Sequence, residues 1–96
     1  MNLLPGVQRI TADAAVGTSG KPIRVFCVHL VSSASDSTLL LKNGTSTSGD
    51  SYVQVDGAAG EGVTLSFAGG MRFPSGCYAD CDANISFATV VYTEEF

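Results

Sequence analysis

Apolar and polar positions alternate along this chain in short runs, and glycine separates one run from the next. The runs at 7–12, 23–31, 51–55, 63–67 and 84–93 are rich in Val, Ile, Phe, Tyr and Thr, and eleven glycines fall between and around them. β-branched and aromatic side chains pack well on a pleated surface, and no stretch carries the 3.6-residue period of an amphipathic helix. Residues 7–11 read as a first strand, preceded by the extended stretch Leu3-Leu4-Pro5-Gly6, and 13–20 reads as a loop. Residues 38–42 form a strand before Asn43-Gly44, a strong hairpin signal, and the Ser/Thr-rich stretch after it leaves room for a longer turn. Tyr52-Val53-Gln54-Val55 is the returning strand, and Val63, Leu65 and Phe67 alternate with Thr64, Ser66 and Ala68. Gly69-Gly70 permits a bend or bulge before 71–73, Pro74-Ser75-Gly76 separates that piece from 77–79, and 85–93 closes the chain. The count is about eight strands. The expected fold is all-β: a single antiparallel β-sandwich, jelly-roll-like, formed by residues 1–96 with a short extended N-terminal arm at 1–6.

The run at 23–31 departs from simple alternation. Strict period two puts Ile23, Val25, Cys27 and Val31 on one face and Phe26, Val28 and Leu30 on the other, so both faces are apolar. A sandwich strand needs one apolar face, and the surplus is expected to be covered either by a loop of the same chain or, in preference, by another copy.

Composition narrows the role by exclusion. Ninety-six residues make one domain, 45% hydrophobic and only 15% charged, with Ser, Thr, Asn and Gly left to supply the polar surface. That balance excludes a disordered tail and suits a subunit of an assembly. The net charge is −4, and the five basic residues are scattered singly. Nucleic-acid binders concentrate Lys and Arg into a stripe, so no nucleic-acid partner is expected. The start Met1-Asn2-Leu3-Leu4-Pro5-Gly6 has neither the basic start nor the apolar run of a signal peptide, and no segment has membrane-helix length. With three cysteines, an odd number, the chain is expected to be made in a reducing cytoplasm and not to engage a membrane.

Candidate chemistry is sparse. Cys77 and Cys81 in an extended Cys-Tyr-Ala-Asp-Cys lie roughly 13 Å apart, too far for a disulfide. A zinc site would need Cys27 and His29 from a distant strand. The reading is therefore three small buried or half-buried thiols. Cys27 and His29 share a face about 6.5–7 Å apart, beyond the reach of a Cys–His nucleophilic pair. Asp80, Asp82 and Asn84 match the first half of a calcium loop, but Ile85 stands where Gly makes the turn and Val91 where a bidentate Glu is required. They read as solvated turn residues. Asn43-Gly44-Thr45 and Asn84-Ile85-Ser86 fit the glycosylation pattern by chance, and there is no Trp to serve as a sugar platform. No catalytic residue and no cofactor are expected.

Taken together, Leu3-Leu4-Pro5-Gly6-Val7-Gln8, Leu41-Lys42-Asn43-Gly44-Thr45 and the stretch from Gly69 to Cys77 give a chain that resembles the short β-sandwich structural proteins of tailed bacteriophages. The resemblance implies a non-enzymatic virion protein: a capsid decoration or cement subunit on the capsid exterior, a homotrimer that stabilises contacts between major capsid proteins. Residues expected at contacts with copies or shell are Leu3, Leu4 and Pro5 in the arm, Phe26, and Tyr92 and Phe96 near the C-terminus. The alternative is a receptor- or carbohydrate-binding head of a fibre or spike, using loops 45–50 and 56–61 at one end of the sandwich.

Overall fold

The computed structural model describes the backbone of residues 3–95, and side chains from Gly6 onward. Eight strands follow one another: β1 (Leu3–Ile10), β2 (Ala14–Val16), β3 (Ile23–Ser32), β4 (Ser37–Asn43), β5 (Asp50–Gly57), β6 (Gly62–Phe73), β7 (Cys77–Cys81) and β8 (Ile85–Glu95). They form two four-stranded antiparallel sheets, ordered β1-β8-β3-β6 and β2-β7-β4-β5. The pairing is nested: β4 pairs β5, β3 pairs β6, β2 pairs β7 and β1 pairs β8. The chain is thus a long hairpin, closed by the 44–49 turn, whose strand pairs alternate between the two sheets of a sandwich.

The core lies between the sheets. Val25, Val28, Leu30, Phe73 and Val90 from one sheet meet Val16, Leu39, Leu41, Val55 and Ala79 from the other, all nearly or fully buried. The two flanks of the sandwich are closed differently. On one, the Gln8 amide donates to the Ala15 carbonyl at 2.8 Å and accepts from the Gly17 N–H at 2.8 Å, tying β1 to β2. On the other, Tyr52 of β5 stacks on Phe73 of β6, with ring centroids 5.3 Å apart.

The apparent two-faced character of β3 has a structural cause. Its register shifts between Val25 and Cys27 against both neighbours, leaving Phe26 as an extra residue. Such a bulge inverts the alternation. Ile23 and Val25 face the core before it, and Val28, Leu30 and Ser32 face the core after it. The face assignment from strict period two is therefore corrected: Cys27 and Val31 lie opposite Ile23 and Val25, and the inner face gathers the apolar residues of both sets.

Across from Phe26, β6 makes a larger excursion. Val25 pairs Met71 while Cys27 pairs Ser66, so 67–70 bow out of the ladder. Gly69 and Gly70 hold φ of 76° and 82°. The pieces expected as separate strands at 63–68 and 71–73 are therefore one bulged strand. The eighth strand is instead β2, in a segment expected to be loop, recruited by β7 and the Gln8 side chain. The N-terminal stretch expected as an unpartnered arm is the first half of β1: Leu3, Leu4 and Pro5 pair with Glu95, Glu94 and Thr93 of the same chain.

The two bulge glycines separate backbone strain from crowding. A Cβ at Gly69 meets nothing within 4 Å, whereas at Gly70 it falls 2.5 Å from Arg24 Cγ and 2.9 Å from Phe26 Cε1. Gly69→Ala is expected to cost about 1–2 kcal/mol from the left-handed backbone alone, and Gly70→Ala about 1–3 kcal/mol more from overpacking. Urea unfolding of the two variants measures the difference.

Candidate functional site

The outer face of the β1-β8-β3-β6 sheet is built in transverse rows fixed by strand register. Val7, Val91, Cys27 and Ser66 form one row; Arg9, Thr89, His29 and Thr64 form the next. Val7 is 70% exposed and Val91 37%, and Cys27 beside them is half-buried. The polar groups of the face bond to one another. Ser66 Oγ donates to Cys27 Sγ at 3.8 Å, and His29 Nδ1 lies 2.7 Å from Thr64 Oγ1. The Arg9 guanidinium sits 4.6 Å over the Phe87 ring, Arg24 Nη1 donates to the Gly69 carbonyl, and Arg72 Nε donates to Glu95 Oε2 at 2.8 Å. An apolar strip rimmed by cations and hydroxyls is thereby left facing solvent.

The opposite outer face is mostly polar, with Leu40 and Tyr78 half-buried on it. Thr38, Leu40, Lys42, Gln54, Asp56 and Asp80 alternate with the buried Leu39, Leu41, Val53, Val55 and Ala79. Lys42 Nζ pairs with Asp80 Oδ2 at 3.1 Å and donates to the Thr47 carbonyl. These contacts hold adjacent strands together on a face with little apolar surface.

Loops 11–13, 33–36, 58–61 and 82–84 gather at one end of the sandwich, around two open grooves of about 490 and 420 Å³. Asp13, Cys81, Asp82 and Ile85 line the first, and Asp36, Thr38, Asp56 and Gly57 the second. Several of the carboxylate oxygens are already committed to amides. Asp13 accepts from the Cys81 N–H, Asp36 from the Ala59 N–H, and Asp82 from the Thr38 and Asn84 N–H groups. Asp80 lies on β7 and turns to Lys42, so the calcium-like run is split between a sheet face and a turn. Among the described residues no group of three or more His, Cys, Asp or Glu could hold a metal ion. Loops 45–50 and 56–61, expected side by side, lie at opposite ends of β5.

The thiols are all free: Cys77 buried, Cys27 and Cys81 half-buried. Burial pushes the Cys77 thiol up to about 12, and burial together with Asp13, Asp80 and Asp82 pushes Cys81 up to about 11. A reactive thiolate is not favoured at either. Cys27 and His29 share the outer face, but each bonds a β6 hydroxyl and not the other.

The residues expected at contacts are placed as follows. Phe26 is half-buried beside the Arg24 stem and Gly70 at the β3 bulge. Tyr92 packs inward against the core with its ring next to Gly6 and Gly17, so it does not belong to the exposed strip. The side chains of Leu3, Leu4 and Pro5, and all of Phe96, lie outside the described residues. Val7, Val91 and Arg9 were not singled out, and Cys27 was weighed only as a metal ligand or nucleophile. Their signal is a row shared by three strands, which becomes visible only with the register.

Comparison with family models, with curated proteins and with solved structures returned no match. The buried thiol has a testable signature. The unfolded chain ionises Cys77 near its ordinary value of 9.0, while the folded chain holds the proton to about 12. Between those values the folded state binds more protons, so stability is fully present below pH 9 and is lost as pH rises toward 12. The contribution is on the order of 2–4 kcal/mol. Cys77→Ala is expected to flatten that alkaline decline by this amount, read as the pH dependence of urea unfolding in the two proteins.

Proposed function

We propose that this chain is a non-enzymatic structural virion protein, a capsid decoration or cement subunit that associates with copies of itself as a homotrimer and stabilises contacts between major capsid proteins. It would be made in the host bacterial cytoplasm and act on the capsid exterior. The observation that carries the reading is the row of exposed Val7 and Val91 beside the half-buried Cys27, next to Phe26 at the bulge, on the outside of the β1-β8-β3-β6 sheet. Burying a valine side chain is worth about 1.5–3 kcal/mol, and a contiguous apolar strip rimmed by polar groups marks an interaction surface. The nested strand pairing supports reading the sandwich as a jelly roll, an architecture used in viral capsid and lectin domains. That is support from fold alone. The lectin-like alternative has less behind it, because the loops around the two grooves contain no aromatic residue for a sugar to stack on.

Deleting residues 2–6 would remove half of the β1–β8 pairing, so a surface substitution is the cleaner test. Light scattering on the purified chain is expected to give a trimer that co-sediments with phage shells lacking it. Val7→Asp, at a 70% exposed position on an edge strand, is expected to weaken both behaviours at least tenfold, about 1.4 kcal/mol, while the urea midpoint changes little. A monomer that ignores the shells would contradict the proposal and favour a ligand-binding module.

A further inference from the structure

The charges of this molecule are segregated in space. All three arginines, Arg9, Arg24 and Arg72, stand on outward positions of the β1-β8-β3-β6 sheet. Among the described residues, the only carboxylate bonded to any of them there is Glu95, whose side chain is 6% exposed and held by Arg72. Loops 11–13, 33–36, 58–61 and 82–84 contain Asp13, Asp36, Glu61 and Asp82 and neither Lys nor Arg, and Asp56 stands at the rim of the same end. Most of the carboxylates there are tied to neutral amides and hydroxyls, which leaves their charge uncompensated. The chain is acidic in sum, yet one broad face is basic and one end is acidic.

This partition decides between the two ways a copy can cover the apolar strip. Face-to-face packing about a two-fold axis would bring Arg9 and Arg24 of one copy toward the same residues of the other, and like charges meeting across an interface are strongly disfavoured. An end-to-face contact sets carboxylates against the arginine rim, and the loop end offers small residues, Ala12, Ala58, Ala59 and Ala83, to approach the Val7–Val91 row closely. The molecule measures 42 × 26 × 18 Å. With β8 eleven residues long, roughly 36 Å at strand rise, the long axis follows the strands. The narrow end therefore matches the width of the face.

We propose that the outer face of the β1-β8-β3-β6 sheet docks the acidic loop end of a second copy, a head-to-tail contact that uses two different surfaces of each subunit. Contacts of this kind close into a ring when the rotation between neighbours permits and otherwise propagate, so a trimer built this way has cyclic symmetry and three equivalent contacts. The inference rests on the self-association proposed above and specifies its geometry.

The test uses Arg9→Glu on the face and Glu61→Lys at the end, both exposed positions, with sedimentation velocity in 50 and 500 mM NaCl. The wild-type chain is expected to associate more weakly at high salt, because the Debye length shrinks from about 14 to about 4 Å. Each variant alone is expected to associate at least tenfold more weakly. Combining both substitutions in one chain is expected to restore association, because every contact then pairs the two reversed charges. Three outcomes overturn the geometry: association indifferent to Glu61→Lys, failure of the double variant to recover, or a chain that stays monomeric in low salt. Association that persists through both variants while shell binding is retained removes the head-to-tail contact and leaves the structural role intact. Loss of shell binding by the wild-type chain removes both.

Discussion

The arrangement depends on one extra residue in the central strand. β3 is hydrogen-bonded on both sides, so its alternation dictates what its sheet presents to the core and to solvent. Without the bulge at Phe26, either Ile23 and Val25 or Val28 and Leu30 would face outward. Two fully buried side chains would be lost from the core, each worth about 1.5–3 kcal/mol. With it, all four are buried. The same shift turns Cys27, His29 and Val31 outward together. The β6 excursion at 67–70 answers the bulge, and its glycines let Arg24 and Phe26 lie across it. Core packing and the outer surface are two consequences of one irregularity.

The two sheets then diverge in character. On the β2-β7-β4-β5 sheet the polar outward positions are engaged locally, Lys42 with Asp80 and Thr38 with Asp56, and Leu40 and Tyr78 beside them are half-buried. On the other sheet the outward positions carry valines, a thiol and the arginines. Ser32 and Ser37 bond each other at 2.6 Å, and Glu94 accepts from the Thr18 N–H, while among the described residues Thr93 Oγ1 is buried without a partner. The open apolar strip is the kind of feature that points to a partner.

Much of the fold was legible in the sequence, because period-two alternation and glycine punctuation are local signals. Val63 and Phe67 pack against the core as expected, although Leu65 between them is 37% exposed, and Asn43-Gly44 does begin the β4–β5 turn. What was not legible depended on pairing. The Ala14–Val16 strand has no pattern of its own and exists because β7 and Gln8 recruit it. The extended start at Leu3 looked unpartnered because β8 reaches Glu95 only after folding. The surface row failed for the same reason: Val7, Cys27 and Val91 are far apart in sequence and become neighbours by register alone. Phe26 was singled out for its apolar excess, which the structure traces to the bulge.

Cys27 provides a direct probe of whether the strip is covered. It is a half-buried thiol in the middle of the row, while Cys77 and Cys81 are held protonated with values near 12 and 11. The decisive measurement is the rate of maleimide modification at Cys27, located by peptide mass, for the dilute chain and for the assembled or shell-bound chain at the same pH. If the outer face of the β1-β8-β3-β6 sheet is the contact surface, modification of Cys27 slows at least tenfold on assembly. An assembled chain whose Cys27 reacts as fast as in the dilute protein would show that the contact lies elsewhere.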